Sequence, residues 1–422
     1  MEEQIFECYL NILRDELVPA MGCTEPIAVA YCAAIAAETL GSLPERVEIS
    51  VSGNILKNVK SVIVPNTGGL KGVAAACASG IIAGGSERKL EILSTLNDED
   101  RERIRTYLEK TPISVVKSQT GCIFDIGVTV FAGKNSAFAR IEGRHTNVVA
   151  VEKNGEQVFH GELTVDTGEG REVPDVAQII EFANNVPIEK IEPLVGRQLE
   201  YNSAIAEEGL KNDYGARIGK ILLSAYGDSV HNRAKAFAAA GSDARMNGCG
   251  LPVVIVSGSG NQGMTASLPV LVYAKELGVS REKLLRAVTL SDLVTIRLKS
   301  GIGRLSAYCG AVSAGVGAGA AVCYLHGGGY DEIAHTIINA LGIASGIVCD
   351  GAKSSCAAKI ATAVGAGLLG FEMYRNGSQF YGGDGILECD VEKTIDNVGD
   401  MARIGMRETD EEIIRIMINN LQ

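Results

Sequence analysis

The sequence predicts an α+β fold: an N-terminal α/β domain built on an antiparallel sheet, then a larger all-helical domain. Three observations predict it. The chain has 422 residues, more than one hydrophobic core usually encloses. From Ile113 to His160 it is a succession of short Val-, Ile- and Phe-rich segments separated by Gly or Asn turns, the pattern of antiparallel strands. Beyond that stretch almost every segment has helical period.

In chain order, residues 5–17 and 26–40 read as helices. The second has Pro26 in its first turn and Gly41 just past its end, the asymmetry of a helix start and stop. VEISVSGNILKNVKSVIVP (47–65) reads as a hairpin turning near Asn58. Residues 72–84 form a small-residue helix and 98–110 a charged surface helix. Strands follow in ISVVKS, IFDIGVTVFA, SAFARIEG, TNVVAVEKN and QVFHGE. A boundary falls at 165–172, beside the turn-rich stretch TGEGREVPD, and divides the chain into domains 1–168 and 169–422. Gly-rich breaks at 241–250, 257–263, 301–303, 327–329 and 382–385 separate the later helices. There is no internal repeat.

Composition narrows the function classes. A formal charge of −12 without any Lys/Arg cluster argues against nucleic acid, whose phosphates require a basic face. Fifty glycines against ten prolines, with no tryptophan, suit backbones packed closely on one another and loops that approach small ligands. The N-terminus lacks the basic and apolar regions of a signal peptide. Eleven scattered cysteines are unlike a disulfide framework and suit thiols in a reducing cytoplasm. The segment Leu305–Leu325 carries no charge and is long enough to span a bilayer. It consists mainly of Gly, Ala and Ser, which insert weakly, so a buried helix is expected and no membrane partner.

Four places carry chemistry. In MGCTEP, Cys23 precedes a helix start, where unpaired N–H groups favour a thiolate. It is either a reactive thiol or a buried cysteine in a capping turn. In SGSGNQG, residues Ser259, Gly260, Asn261, Gln262 and Gly263 follow an apolar run. Such a turn exposes successive N–H groups to an anion, or is merely a tight turn between helices. Asn66 and Thr67, in NTGG, form a shorter turn of the same kind. Among the late cysteines, Cys349 and Cys356 lie seven apart, on one helical face or at the ends of a short loop. Cys309 would approach them from a neighbouring helix, and no C-x-x-C pair occurs. His145, with Arg144, Thr146 and Asn147, is a possible substrate contact in the sheet region.

Taken together, MGCTEPIAVAYCAA, VPNTGG, SGSGNQG, GRLSAYCGAVSAGVGAG and IVCDGAKSSCAAKIATAV resemble the L-cysteine desulfidase family along essentially the whole chain. That family is related to the iron–sulfur L-serine dehydratases, whose α-chain the helical half resembles. The resemblance implies an oxygen-sensitive 4Fe–4S cluster, one per chain, held by three thiolates with one iron open to substrate. It implies Cys309 and Cys349 as ligands. Cys356 and Cys23 compete for the third place, with Cys356 favoured as ligand and Cys23 as catalytic base. The implied reaction splits L-cysteine into hydrogen sulfide, pyruvate and ammonia, with the two Gly-rich turns binding the substrate, in a cytoplasmic homo-oligomer. The competing readings are dehydration of L-serine by the same cluster, a pyridoxal phosphate lyase with Lys353 as Schiff base, and a non-catalytic amino-acid binder or carrier.

Overall fold

The structure, a computed structural model, describes residues 3–162, 173–303 and 305–419, and has the α+β fold. The linker expected at 165–172 lies outside the described residues.

The first part of the chain contains α1 (Glu3–Glu16), β1 (Pro19–Met21), α2 (Thr24–Leu40), β2 (Arg46–Val51), α3 (Gly53–Val59), α4 (Val73–Ala83) and α5 (Asp98–Lys110). Then come β3 (Ile113–Lys117), β4 (Asp125–Ala132), β5 (Asn135–Glu142), β6 (Val148–Lys153) and β7 (Glu156–His160). Strands β2 to β7 form one sheet in the order β3-β2-β4-β5-β6-β7, antiparallel at every pairing except β2 with β3. The parallel pair follows from the long α3–α5 excursion between those two strands. Helix α2 lies on the sheet, sharing a core of Ile27, Cys32, Val128 and Ala139. It crosses α4 so closely that a side chain at Gly80 would sit 1.9 Å from the Ala30 carbonyl oxygen. Only glycine permits that approach.

The hairpin expected over 47–65 is not formed. After β2, Ser52 caps a helix by accepting from the Ile55 amide at 3.3 Å, so Asn58 lies in α3. The cap begins a helix where the β-branched residues around it suggest a strand. Strand β2 pairs with β3 and β4 instead.

The later part contains α6 (Val176–Asn185), α7 (Ile188–Lys211), α8 (Ile218–Tyr226), α9 (Val230–Met246), β8 (Pro252–Val254), α10 (Gly260–Leu277) and α11 (Arg281–Ile302). It ends with α12 (Gly310–Leu325), α13 (Tyr330–Ala344), α14 (Cys356–Arg375), α15 (Val391–Asp400) and α16 (Arg407–Asn419). The uncharged helix α12 is buried among α10, α11, α13 and α14, as expected for this Gly/Ala-rich segment. Side chains at Gly315 and Gly319 would come within 2.4 Å of the Ala363 and Gly367 carbonyl oxygens, so these glycines set the α12–α14 distance. Among the described residues one helix, α14, is long and apolar enough to cross a membrane.

Two expected breaks are shorter than the glycines suggest, one beginning later and one ending earlier. Helix α9 runs through Gly241 to Met246, because Gly241 leaves room for the Met264 sulfur, 2.6 Å from where a Cβ would be. The turn at 257 is short, and Gly260 already opens α10. Helix α1 packs with the helical core through Leu10 and Leu13, with Leu17 just past its end, while Phe6 meets Phe182 at a tilt and Tyr9 meets it edge-on. The antiparallel pairing of β1 with β8 draws the chain just after α1 to the foot of α9 and the head of α10.

Candidate active site

Cys23, Cys309, Cys349 and Cys356, with the buried Arg245, make up the candidate site, which begins where β1 ends. Beyond Met21, paired with Pro252, the chain turns at Gly22 (φ 58°), where a side chain would strike Pro65. Cys23 then takes the N-cap position of α2. Its thiol is 1% exposed, lies 3.8 Å from the Met246 sulfur, and packs with Val62, Met246, Ala352 and Cys356. Burial pushes this thiol up to about 12, opposed by the Arg245 guanidinium. The expected preference of a helix start for a thiolate is outweighed here by desolvation.

Cys309 and Cys349 lie on two short antiparallel segments. The Cys309 N–H donates to the Ile347 oxygen at 3.0 Å, the Cys349 N–H donates to the Ala307 oxygen at 2.6 Å, and Tyr308 bridges Val348. Cys309 is the N-cap of α12 and Cys356 the first residue of α14. Of the two arrangements open for 349–356, the loop is the one formed. Gly351 (φ 94°) presses on the Lys57 carbonyl oxygen. Asp350 pairs with Lys353 and, at 2.5 Å, with Lys359, whose amine also donates to the Val348 oxygen at 2.8 Å. The Lys353 amine is thus already engaged.

The thiols feel one another. Burial first, then Cys349, pushes Cys309 up to about 12, and Cys356 adds to this. Burial likewise raises Cys356, and Cys349 contributes. Among the described residues no three His, Cys, Asp or Glu side chains close around a point as a single ion would require.

The glycine-rich turn is tight. Ser257 (φ 48°) and Gly258 (φ 79°) close it, with Val256 and Ser259 exchanging both backbone hydrogen bonds. Gly263 N–H bonds the Ser259 oxygen, whereas the N–H groups of Gly260, Asn261 and Gln262 stand in the first turn without intrahelical acceptors. A side chain at Gly263 would meet the Val254 oxygen. The Gln262 side chain lies against Gly310, next to Cys309, and its Oε1 is buried without a partner. Thr24 Oγ1 donates to the Gly258 oxygen at 3.2 Å and to Glu25 at 3.1 Å, tying the two loops together.

Asn66 (φ 59°) presents its Oδ1 to Gly250, while its Nδ2 donates to the Leu93 oxygen at 3.0 Å. The Thr67 hydroxyl is fully buried and donates to the Val64 oxygen at 2.7 Å. His145 stands apart in the sheet region, edge-on to Phe124 at 4.7 Å. Two residues escaped the sequence reading. Arg245, 3% exposed, donates from Nε to the Gly22 oxygen at 2.8 Å and from Nη1 to Asn261 at 3.2 Å. Glu25, half-buried, has its carboxyl raised by burial against the pull of Arg245 and Lys57. Glu25 lies inside the MGCTEP segment, where the sequence draws attention to Cys23; nothing local marks Arg245, although Gly260 hints at a bulky neighbour.

Residues 87–415 match the family model described as "Serine dehydratase alpha chain". The chain belongs to that family. Serine dehydratase alpha chains form an iron–sulfur lyase family, so this member is a lyase-type enzyme. It is 56% identical to a UPF0597 protein of Desulfitobacterium hafniense over 99% of this chain and 98% of that one. It is 50% identical to a UPF0597 protein of Lachnoclostridium phytofermentans, over 98% of this chain and all of the other, and 44% identical to one from Treponema denticola along the full length of both.

The residues present suit an iron–sulfur cluster. Cys309 and Cys356 stand at helix starts, where N–H groups hydrogen-bond sulfur, and Lys359 supplies a cation within reach of both.

Proposed function

We propose that this chain is an L-cysteine desulfidase, converting L-cysteine and water into hydrogen sulfide, pyruvate and ammonia. The observation that carries it is the juxtaposition of Cys309, Cys349 and Cys356, with Cys23 packed against Cys356. Cys309, Cys349 and Cys356 would hold one 4Fe–4S cluster per chain. When bound, such a cluster supplies an open iron, a Lewis acid for the substrate sulfur.

The protein's own groups do the rest. Cys23 is the base: the Arg245 guanidinium favours its thiolate against the burial that opposes it, and that thiolate takes the α-proton. The freed electron pair forms the Cα–Cβ double bond, and the C–S pair leaves with sulfur as sulfide. The aminoacrylate tautomerises to an imine, and water releases pyruvate and ammonia. The N–H groups of Gly260, Asn261 and Gln262 hold the substrate carboxylate, with Ser259 and Gly263 fixing their turn and Asn66 and Thr67 bordering the site. Burial of Cys23 excludes water from the proton-transfer step. We place the enzyme in the cytoplasm as a homo-oligomer, with the domain boundary at residue 168.

Anaerobic reconstitution, followed by sulfide and pyruvate assays on L-cysteine and L-serine, tests this. Sulfide and pyruvate in equal amounts from L-cysteine are expected. Pyruvate from L-serine alone would select the second reading, dehydration, which the family's description favours.

A further inference from the structure

Arg245 is a buried cation that makes no ion pair with a carboxylate among the described residues. Its guanidinium donates to two neutral oxygens, those of Gly22 and the Asn261 side chain. Leaving such a charge desolvated and unpaired is costly, so a missing anion is the economical explanation. The surroundings point the same way. A side chain at Gly260 would lie 2.6 Å from Arg245 Nε, so glycine lets the guanidinium rest on the first turn of α10 and its free N–H groups. The unpartnered Gln262 Oε1 is buried in that same turn, against the head of α12.

Glu25 faces this cation from the start of α2. The two charges feel one another without forming an ion pair, and the Thr24 hydroxyl holds the carboxylate in place. A cation and an anion held near each other but apart match the two ends of a zwitterion.

We propose that Arg245 and Glu25 are substrate-positioning residues, Arg245 binding the α-carboxylate and Glu25 the α-ammonium of a small amino acid. This deepens the desulfidase reading and rests on it for the reaction. The clamp fixes Cα and leaves the side chain of the substrate free to reach the cysteines. It discriminates against thiols and acids that lack either charge.

Saturation-transfer NMR on the anaerobically purified full chain tests the clamp. The probes are L-alanine, a zwitterion with no leaving group, and its two halves, propionate and ethylamine. L-alanine is expected to bind the wild type, with affinity reduced on the order of a hundredfold in Arg245→Gln. Arg245→Lys should restore part of it, with iron content and circular dichroism unchanged in both. Glu25→Gln, a second variant, should bind propionate as the wild type does while losing the preference for L-alanine over propionate. Equal L-alanine binding by wild type and Arg245→Gln, equal binding of propionate and L-alanine to the wild type, or no L-alanine binding at all, would overturn the inference. Loss of L-alanine binding in Arg245→Gln, in a protein that never releases sulfide, would keep the clamp and remove the desulfidase reading. Sulfide release by Arg245→Gln at the wild-type KM would do the reverse.

Discussion

The Cys349 N–H donates to the Ala307 oxygen at 2.6 Å, which sets Cys349 opposite Ala307 and diagonally across from Cys309, on the same face of a short antiparallel pairing, although forty residues separate the two cysteines. The pairing is backbone-made, so it fixes both cysteines without spending their thiols. The loop from Cys349 then returns Cys356 to the same place at the head of α14.

That arrangement makes Cys309 and Cys349 separately indispensable to a cluster. Cys309→Ala and Cys349→Ala are each expected to purify anaerobically without iron or acid-labile sulfide, because a missing thiolate leaves an iron unsupported. The Tyr308–Val348 pairing persists in both variants, so circular dichroism should be unchanged. Full iron content in either one would rule that cysteine out as a ligand.

Gly260→Val isolates the anion-binding turn. The new Cβ would fall 2.6 Å from Arg245 Nε and 2.5 Å from Val253, so the guanidinium must move off the α10 start. Displacing it costs substrate binding while the cysteines stay put. The expectation is a KM for L-cysteine raised at least tenfold, or no turnover, with an intact iron–sulfur spectrum. Wild-type kinetics would return the segment to a packing turn.

What was legible in the sequence had local causes. Helix α5 occupies the expected 98–110 because Asn97 and Asp100 form a capping box at its start. Gly41, in the left-handed region at φ 84°, ends α2 where a C-terminal glycine should. The misses arise from distant partners. Strands β1 and β8 have three residues each and exist only through their mutual pairing, so neither shows a period of its own. Arg245 ends an ordinary helix in sequence; its role depends on Gly22 and Asn261, one of them more than two hundred residues away. Cys23 was visible as chemistry, yet the dominance of burial over the helix start required knowing what packs on it.

Asp292 gives the fold a pH dependence. It is fully buried in α11, accepts from Gln198 Nε2 at 2.9 Å, and leaves Oδ2 unpartnered. Burial pushes its carboxyl up to about 8, against the lowering effect of the Gln198 hydrogen bond. With the folded value raised above the unfolded one of about 4, stability from this group is complete below about pH 4 and is lost as pH rises through 8. Asp292→Asn keeps an oxygen for Gln198 and removes the titration. Denaturant unfolding at several pH values should show the variant gaining on the wild type by about 1 kcal/mol per pH unit across that window. A constant difference between the two would mean that Asp292 does not titrate there.

The division of labour between Cys23 and Cys356 is the sharpest test of the site. Both belong to one small cluster with Val62, Met246 and Ala352, so either sulfur has access to a group held by Cys309 and Cys349. Their local attachments differ. Cys356 opens α14 with its N–H bonded to the Lys353 oxygen at 3.0 Å, and its thiol interacts with Cys349. Cys23 instead contacts the Met246 sulfur and lies close to Arg245, on the side where the substrate carboxylate is proposed to bind. Cys356→Ser is therefore expected to lose iron and the visible band. Cys23→Ser should keep both and lose nearly all sulfide release, since a serine hydroxyl is too weak an acid to act as base at neutral pH. Serine preserves the volume at each position, so circular dichroism should match the wild type in both. A colourless Cys23→Ser beside an active, iron-loaded Cys356→Ser would make Cys23 the third ligand. The α-proton would then have to go to another group at the start of α2, and Glu25, two residues on, would be the carboxylate to replace next.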